Sequence, residues 1–184
     1  MKFNKEQIKE IKEWATTPWL NGLTYKKISK DDRKIAALKE KEWGNNLINM
    51  TNNGNWTTRV GEGIIHDILI HRNENPRRPQ NLCCYNPDWE TDKYIYEVKT
   101  SNWTISGTAG EKVLGTMYKY SDIPIIYNKP LKIICIAYQE YELTHCNTKI
   151  FGDVSENKKK FLDLAKSMNI EYVKFSDFIK DNYK

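Results

Sequence analysis

A Glu and a Lys two residues apart, in a run otherwise aromatic and β-branched, place the tightest demand on how this chain folds. The run is Tyr94-Ile95-Tyr96-Glu97-Val98-Lys99-Thr100. As a strand it turns Tyr94, Tyr96 and Val98 to one face and Ile95, Glu97 and Lys99 to the other. Charges on an apolar strand face are costly unless they pair or bind something. A second strand-like segment, Asn86-Pro87-Asp88-Trp89-Glu90, precedes it, and the polar turn Asp92-Lys93 joins the two. A hairpin return across that turn brings Asp88 beside Glu97. Two carboxylates and an ammonium on a rigid sheet can ligate a hard divalent cation and manage a water beside it. Glu90 shares a face with Asp88 by the two-residue period and stands in reserve as the ligand. The proline before Asp88 suits an irregular strand end, where a side chain can be re-aimed.

Pro87-Asp88, eight intervening residues and Glu97-Val98-Lys99 resemble the PD-(D/E)xK signature of a nuclease superfamily. That superfamily includes type II restriction endonucleases, Holliday-junction resolvases and DNA-repair nicking enzymes. Further on, Gly107-Thr108-Ala109-Gly110-Glu111-Lys112 resembles a subset of the type II restriction enzymes. The resemblance spans about residues 56–175. It implies an α/β, restriction-endonuclease-like core: a central mixed sheet flanked by helices, in the order hairpin, helix, strand, helix, strand. It also implies one or two Mg²⁺ ions, with Mn²⁺ as a substitute, held by Asp88 and Glu97 with help from Glu62. A glutamate on the helix before the Pro-Asp hairpin commonly completes the metal site in that superfamily. The activity implied is endonucleolytic hydrolysis of DNA phosphodiester bonds, with Asp88, Glu97, Lys99 and Glu62 as the catalytic set. Lys99 would orient the attacking water and offset charge in the transition state. The implied partner is double-stranded DNA, and a palindromic target implies a two-fold homodimer. No nucleotide cofactor is expected. A structure-specific nuclease and a DNA-binding module with a decayed nuclease core are the alternatives.

Bulk properties are compatible with this reading without requiring it. A chain of 184 residues is long enough for one domain with an extension. Its net charge of +5 permits a polyanionic partner. No apolar run approaches a membrane span, and Met1-Lys2-Phe3-Asn4-Lys5 lacks an apolar signal core, so the expectation is a soluble cytoplasmic protein with no membrane partner. Cys83, Cys84, Cys135 and Cys146 form no C-x-x-C pair and read as reduced thiols, with His145-Cys146 the nearest approach to a soft ligand pair.

Along the chain, Ile8, Ile11 and Trp14 predict a first helix, and Ser29 caps a second whose inner side carries Ile35 and Leu38. The Asn-rich stretch from Asn45 to Asn55 reads as a loop, dividing a helical extension (1–50) from a nuclease core (51–184). Thr57 or Thr58 caps the next helix, with Val60, Ile64, Ile68 and Leu69 inside and Glu62 between Gly61 and Gly63. Two glycines there cost roughly 1 kcal/mol each against Ala, so a packed strand or a substrate close by is expected. His66 and His71 read as surface or packing residues, and the helix dipole alone also accounts for Glu62. After Lys99, the polar residues Thr100, Ser101, Asn102, Trp103 and Thr104 suit phosphate and sugar contacts, as do Arg77, Lys112 and Lys119. Arg77 and Arg78, between Pro76 and Pro79, read equally as phosphate contacts or as solubilising charges. Thr108 opens a capping box with Glu111 on a helix burying Val113, Met117 and Tyr120. Leu131 to Tyr138 reads as a central strand. Ser155 caps a helix burying Phe161, Leu164 and Ala165, Ile170 to Phe175 is a strand, and Ser176 caps a terminal helix. Base-reading residues are sought after Lys99, near Asn52 and from Tyr141 to Gly152.

Overall fold

Asn4 starts the first helix, α1 (Lys5–Thr16), with a reciprocal cap. Its side chain accepts from Gln7 N at 2.9 Å, and Gln7 Oε1 accepts from Asn4 N at 3.0 Å. The structure, a computed structural model, describes residues 2–19, 29–51, 55–104 and 109–180. Ile8, Ile11 and Trp14 are buried, as their spacing predicts.

Helix α2 (Lys30–Leu47) is capped by Ser29, with Asp31 and Asp32 in its first turn. Its buried side differs from the one expected. Ile35 and Leu38 are 51% and 67% exposed, whereas Glu40, Gly44 and Asn45 are buried. Polar contact decides the rotation. Glu40 accepts from Trp14 Nε1 at 2.9 Å, Trp103 N at 2.8 Å, and Thr104 N and Oγ1 at 3.0 and 2.7 Å. Gly44 lies against the Trp56 ring, where a Cβ would overlap the indole. Asn45 is therefore helical, and the loop expected from that residue starts only after Leu47.

Helix α3 (Trp56–His71) begins just before the threonines expected to cap it: Asn55 is the N-cap and makes no side-chain cap bond, while Thr57 and Thr58 lie inside. Val60, Ile64, Ile68 and Leu69 are fully buried. At Gly61 a Cβ would overlap the Thr100 side chain, so the glycine beside Glu62 answers to a packed strand.

Strand β1 (Trp89–Glu90) pairs antiparallel with β2 (Ile95–Ser101). Thr91 closes the turn between them, its Oγ1 accepting from Lys93 N at 3.3 Å and Tyr94 N at 3.1 Å. Then follow α4 (Ala109–Lys119), α5 (Ile123–Ile126), β3 (Leu131–Ala137), α6 (Tyr138–His145), α7 (Glu156–Ser167), β4 (Ile170–Lys174) and α8 (Phe175–Ile179). The sheet order is β1-β2-β3-β4, with β2, β3 and β4 parallel, so the chain is α/β with a mixed sheet and flanking helices. Val113, Met117 and Tyr120 of α4 are buried as expected, while Gly107 and Thr108 lie outside the described residues.

Two apolar cores sandwich the sheet. One joins Tyr96, Val98, Ile134 and Ile136 to α1, α3 and α8; the other joins Ile95, Ile133 and Cys135 to α4, α5 and α7. Because α1 and the end of α2 share the first core, the boundary expected near residue 50 falls in a loop without dividing the core. Helix α7 packs on the edge strand β4, so a narrow stripe suffices. Ala165 is buried there, while Phe161 and Leu164, expected inside, are 38% and 54% exposed. Lys174 takes the N-cap position of α8 in place of Ser176, whose N and Oγ donate to Glu140 at 2.9 and 2.5 Å. The stretch from Tyr141 to Gly152, where base-reading residues are sought, is helical as far as His145. No helix among the described residues is long and apolar enough to cross a membrane.

Candidate active site

The pairing of Trp89 with Tyr96 places Asp88 opposite Glu97, one step beyond the end of β1. Asp88 N still donates to Tyr96 O at 3.1 Å, and Asp88 Oδ2 accepts from Val98 N at 2.6 Å. The carboxylate thus takes the place that a continuing β1 backbone would fill, which re-aims it along β2. Glu97 lies on the same edge at 5% exposure. Its Oε1 accepts from Lys99 Nζ at 2.5 Å, whereas Oε2 is buried and makes no hydrogen bond of ordinary geometry among the described residues, the Tyr120 hydroxyl acting on the carboxylate without closing one.

Electrostatics bind these groups together. Burial first, then the Glu97 charge, pushes the Asp88 carboxyl up to about 7, with Glu62 adding to the rise and the Val98 N–H opposing it. Burial also raises Glu97, against the pull of Lys99, Lys119 and the Tyr120 hydroxyl. Tyr120 is raised in turn by burial and by the Glu97 and Asp88 charges. Its hydroxyl accepts from Lys119 Nζ at 3.2 Å.

Glu62 approaches from α3, but its Oε2 accepts from Arg78 Nη2 at 2.5 Å. Among the described residues no three His, Cys, Asp or Glu side chains converge as a ready-made ion cage. Glu90, the reserve ligand, is engaged elsewhere: its Oε1 accepts from Lys129 Nζ at 2.6 Å and Arg77 Nη2 at 2.9 Å. Burial works against the Glu90 charge, yet Lys129 and Arg77 outweigh it and hold the carboxyl below its usual range.

The polar run after Lys99 serves the fold more than the surface. Thr100 packs on Gly61 with its Oγ1 buried, and Ser101 Oγ donates to Gln139 Oε1 at 3.3 Å. Trp103 is buried, its Nε1 donating to Trp14 O at 2.7 Å, and Thr104 is buried against Glu40. Asn102 is half-buried, with Nδ2 donating to Thr104 Oγ1 at 3.1 Å. Lys112 and Lys119 are exposed on α4. Arg77 is exposed but tied to Glu90 and to Asp92 at 3.0 Å.

Arg78 and Tyr120 escaped the sequence reading as members of this site. Tyr120 follows the buried spacing of α4 and so reads as core. Residues 77 and 78 run beside β1, with Arg77 and Glu90 exchanging backbone hydrogen bonds at 2.9 Å. Neighbours on such a segment point opposite ways, so Arg77 faces Glu90 and Arg78 faces Glu62. Pro79, which favours an extended residue before it, was the available signal. His66 and His145 are engaged elsewhere: His66 lies tilted against Trp89 with centroids 4.7 Å apart and its Nδ1 3.3 Å from Asp67 Oδ1, and His145 Nδ1 contacts Tyr141 O at 3.0 Å. The four cysteines form no disulfide among the described residues, Cys83 and Cys84 being exposed at positive φ and not extended as a strand.

The arrangement is a pair of repelling carboxylates, one with a buried unsatisfied oxygen, beside a lysine. A divalent cation would relieve both the repulsion and the unsatisfied oxygen, so the residues fit one. Set against models of known protein families, curated proteins and solved structures, the chain gives no match.

Proposed function

We propose that this chain is a divalent-metal-dependent endonuclease of double-stranded DNA with a restriction-endonuclease-like core, of the type II site-specific class. The observation that carries the reading is the buried carboxylate pair, Asp88 raised by burial and by the Glu97 charge, with Lys99 bound to one Glu97 oxygen and the other making no hydrogen bond of ordinary geometry among the described residues. The element order supports it: the hairpin is followed by α4 and α5, the strand β3, α6 and α7, and the strand β4, with two helices at each place where the PD-(D/E)xK resemblance implies one.

Asp88 and Glu97 are the residues that would hold Mg²⁺ or Mn²⁺, and Glu62 could join them once free of Arg78. A cation bound there supplies Lewis-acid polarisation of the scissile phosphate. Lys99 is held by Glu97 so that its ammonium meets negative charge developing on the phosphoryl oxygens. Asp88 is fixed by the Val98 N–H, which keeps it from turning out to solvent. Lys119 and the Tyr120 hydroxyl favour the charged form of Glu97. The exposed Lys112 and Lys119 are the remaining contacts for the DNA backbone. A palindromic target would be served by two copies of the chain, one site per strand, acting on DNA inside the cell.

Digestion of plasmid and linear duplex DNA with Mg²⁺ tests the reading. Discrete fragments are the expected product, and cutting confined to branched DNA would redirect the reading to a structure-specific nuclease. Asp88→Ala, Glu97→Ala and Lys99→Ala should each lower cleavage by at least about a hundredfold while the protein stays folded by circular dichroism. Wild-type cleavage by all three variants defeats the assignment.

A further inference from the structure

Arg78 is the least expected member of the site. Its Nη2 donates to Glu62 Oε2 at 2.5 Å and its Nη1 to the Asp88 carbonyl at 2.8 Å. The guanidinium carbon lies 4.0 Å from the centroid of the Trp89 ring. Trp89 is itself pinned to the same helix, its Nε1 donating to the Glu62 carbonyl at 2.9 Å. One cation therefore spans the acid of α3, the backbone of the Asp88 turn and an aromatic face between them. A planar fork of donors suits this task, and the point charge of a lysine would not.

The same contacts account for the missing third ligand. Glu62 lies near enough to Asp88 to raise its carboxyl, yet its own oxygen is turned onto the guanidinium. We propose that Arg78 is a cation latch: it occupies Glu62 in the metal-free protein, and a divalent ion recruits Glu62 only by displacing the guanidinium. This inference rests on the metal-site reading above and adds a regulatory step to it. The latch is weak by construction, because Arg78 is 57% exposed at its side chain and Glu62 19%. An ion pair of that exposure together with a guanidinium–indole stack opposes metal binding by roughly three- to tenfold. Such a contact delays ion capture without preventing it.

Mn²⁺ alone, titrated against the full chain and followed by the electron paramagnetic resonance of the free ion, measures the latch. Wild type, Arg78→Ala and Asp88→Ala are compared, with thermal unfolding as the check on folding. Arg78→Ala should bind Mn²⁺ about three- to tenfold more tightly than wild type, and Asp88→Ala much more weakly. Loss of any positive charge near the site would also favour a cation, so a second readout is needed. Nitrogen-15 spectra of arginine side chains supply it, the Arg78 signal being the one absent from Arg78→Ala. In wild type, the slowed Nη signals of a tied guanidinium should collapse as Mg²⁺ is added, and in Asp88→Ala they should persist. Unchanged Mn²⁺ affinity in Arg78→Ala overturns the latch, as does an Arg78 signal that stays put while Mg²⁺ saturates the site. Equal Mn²⁺ binding by wild type and Asp88→Ala instead removes the metal site, and the latch falls with it.

Discussion

Asp88 carries a carboxyl held at about 7 because it is buried and faces Glu97. In the unfolded chain the same group titrates near 4. Between those values the folded state keeps a proton that the unfolded state has shed, so stability falls as pH rises from about 4 to about 7 and is level above. Asp88→Asn removes this loss and keeps an acceptor for the Val98 N–H. Without metal it should be more stable than wild type at pH 8 by roughly 4 kcal/mol, with the advantage gone below about pH 4. Added Mg²⁺ should raise the Tm of wild type and leave that of the variant unchanged. Thermal unfolding across pH, with and without the ion, checks both; an advantage independent of pH would contradict the assignment. At this scale the sequence left Asp88 and Glu90 as rivals, because a two-residue period puts both on one face. The neighbours decide between them: Lys129 and Arg77 engage the Glu90 carboxylate, whereas the Asp88 carboxylate feels Lys99 only through its charge and is raised on balance by burial and Glu97.

Among the elements, α3 and β2 meet where Gly61 faces Thr100. A helix gains about 1 kcal/mol when Ala replaces an interior Gly, but here the added Cβ must enter space held by the Thr100 side chain. Gly61→Ala should therefore destabilise by about 1–3 kcal/mol, and Thr100→Ala in the same chain should recover part of the loss. Urea denaturation of the two single variants and the double variant measures the coupling. A neutral Gly61→Ala would mean that the helix and strand do not touch there. The glycines on either side of Glu62 announced a close neighbour in the sequence, but not which strand it would be. Capping was read with mixed success. Ser29 and Ser155 cap as expected, while Thr57, Thr58 and Ser176 do not, because Asn55 and Lys174 hold the cap positions.

Over the whole molecule, Glu40 joins the N-terminal helices to the turn that follows the strand carrying Glu97 and Lys99. It is fully buried and receives donors from Trp14, Trp103 and Thr104. Glu40→Ala leaves those donors unpaired in the interior and should cost about 3–5 kcal/mol in urea unfolding, against a smaller loss for Glu40→Gln. Removal of residues 1–50 strips α1 and α2 from the first core as well. The remaining 51–184 fragment should show no cooperative thermal transition and should bind a hydrophobic dye. A fragment that unfolds cooperatively would restore the view of an extension on a separate core. Polar burial explains the misreading of α2: its exposed Ile35 and Leu38 follow an amphipathic pattern that the fold declines in favour of one carboxylate with several donors.

Alternation in Tyr94–Lys99, the turn at Asp92-Lys93 and the apolar run from Leu131 were sufficient to specify a hairpin, a central strand and a Glu97–Lys99 pair on one face, because strand periodicity and turn chemistry act over a few residues. Tertiary structure alone decided which acid faces Glu97, that Arg78 reaches Glu62 while Arg77 does not, and that Trp103 and Thr104 turn inward to Glu40. Those outcomes depend on groups up to 64 positions apart competing for the same buried donors and acceptors. No local pattern can rank that competition before the chain has closed.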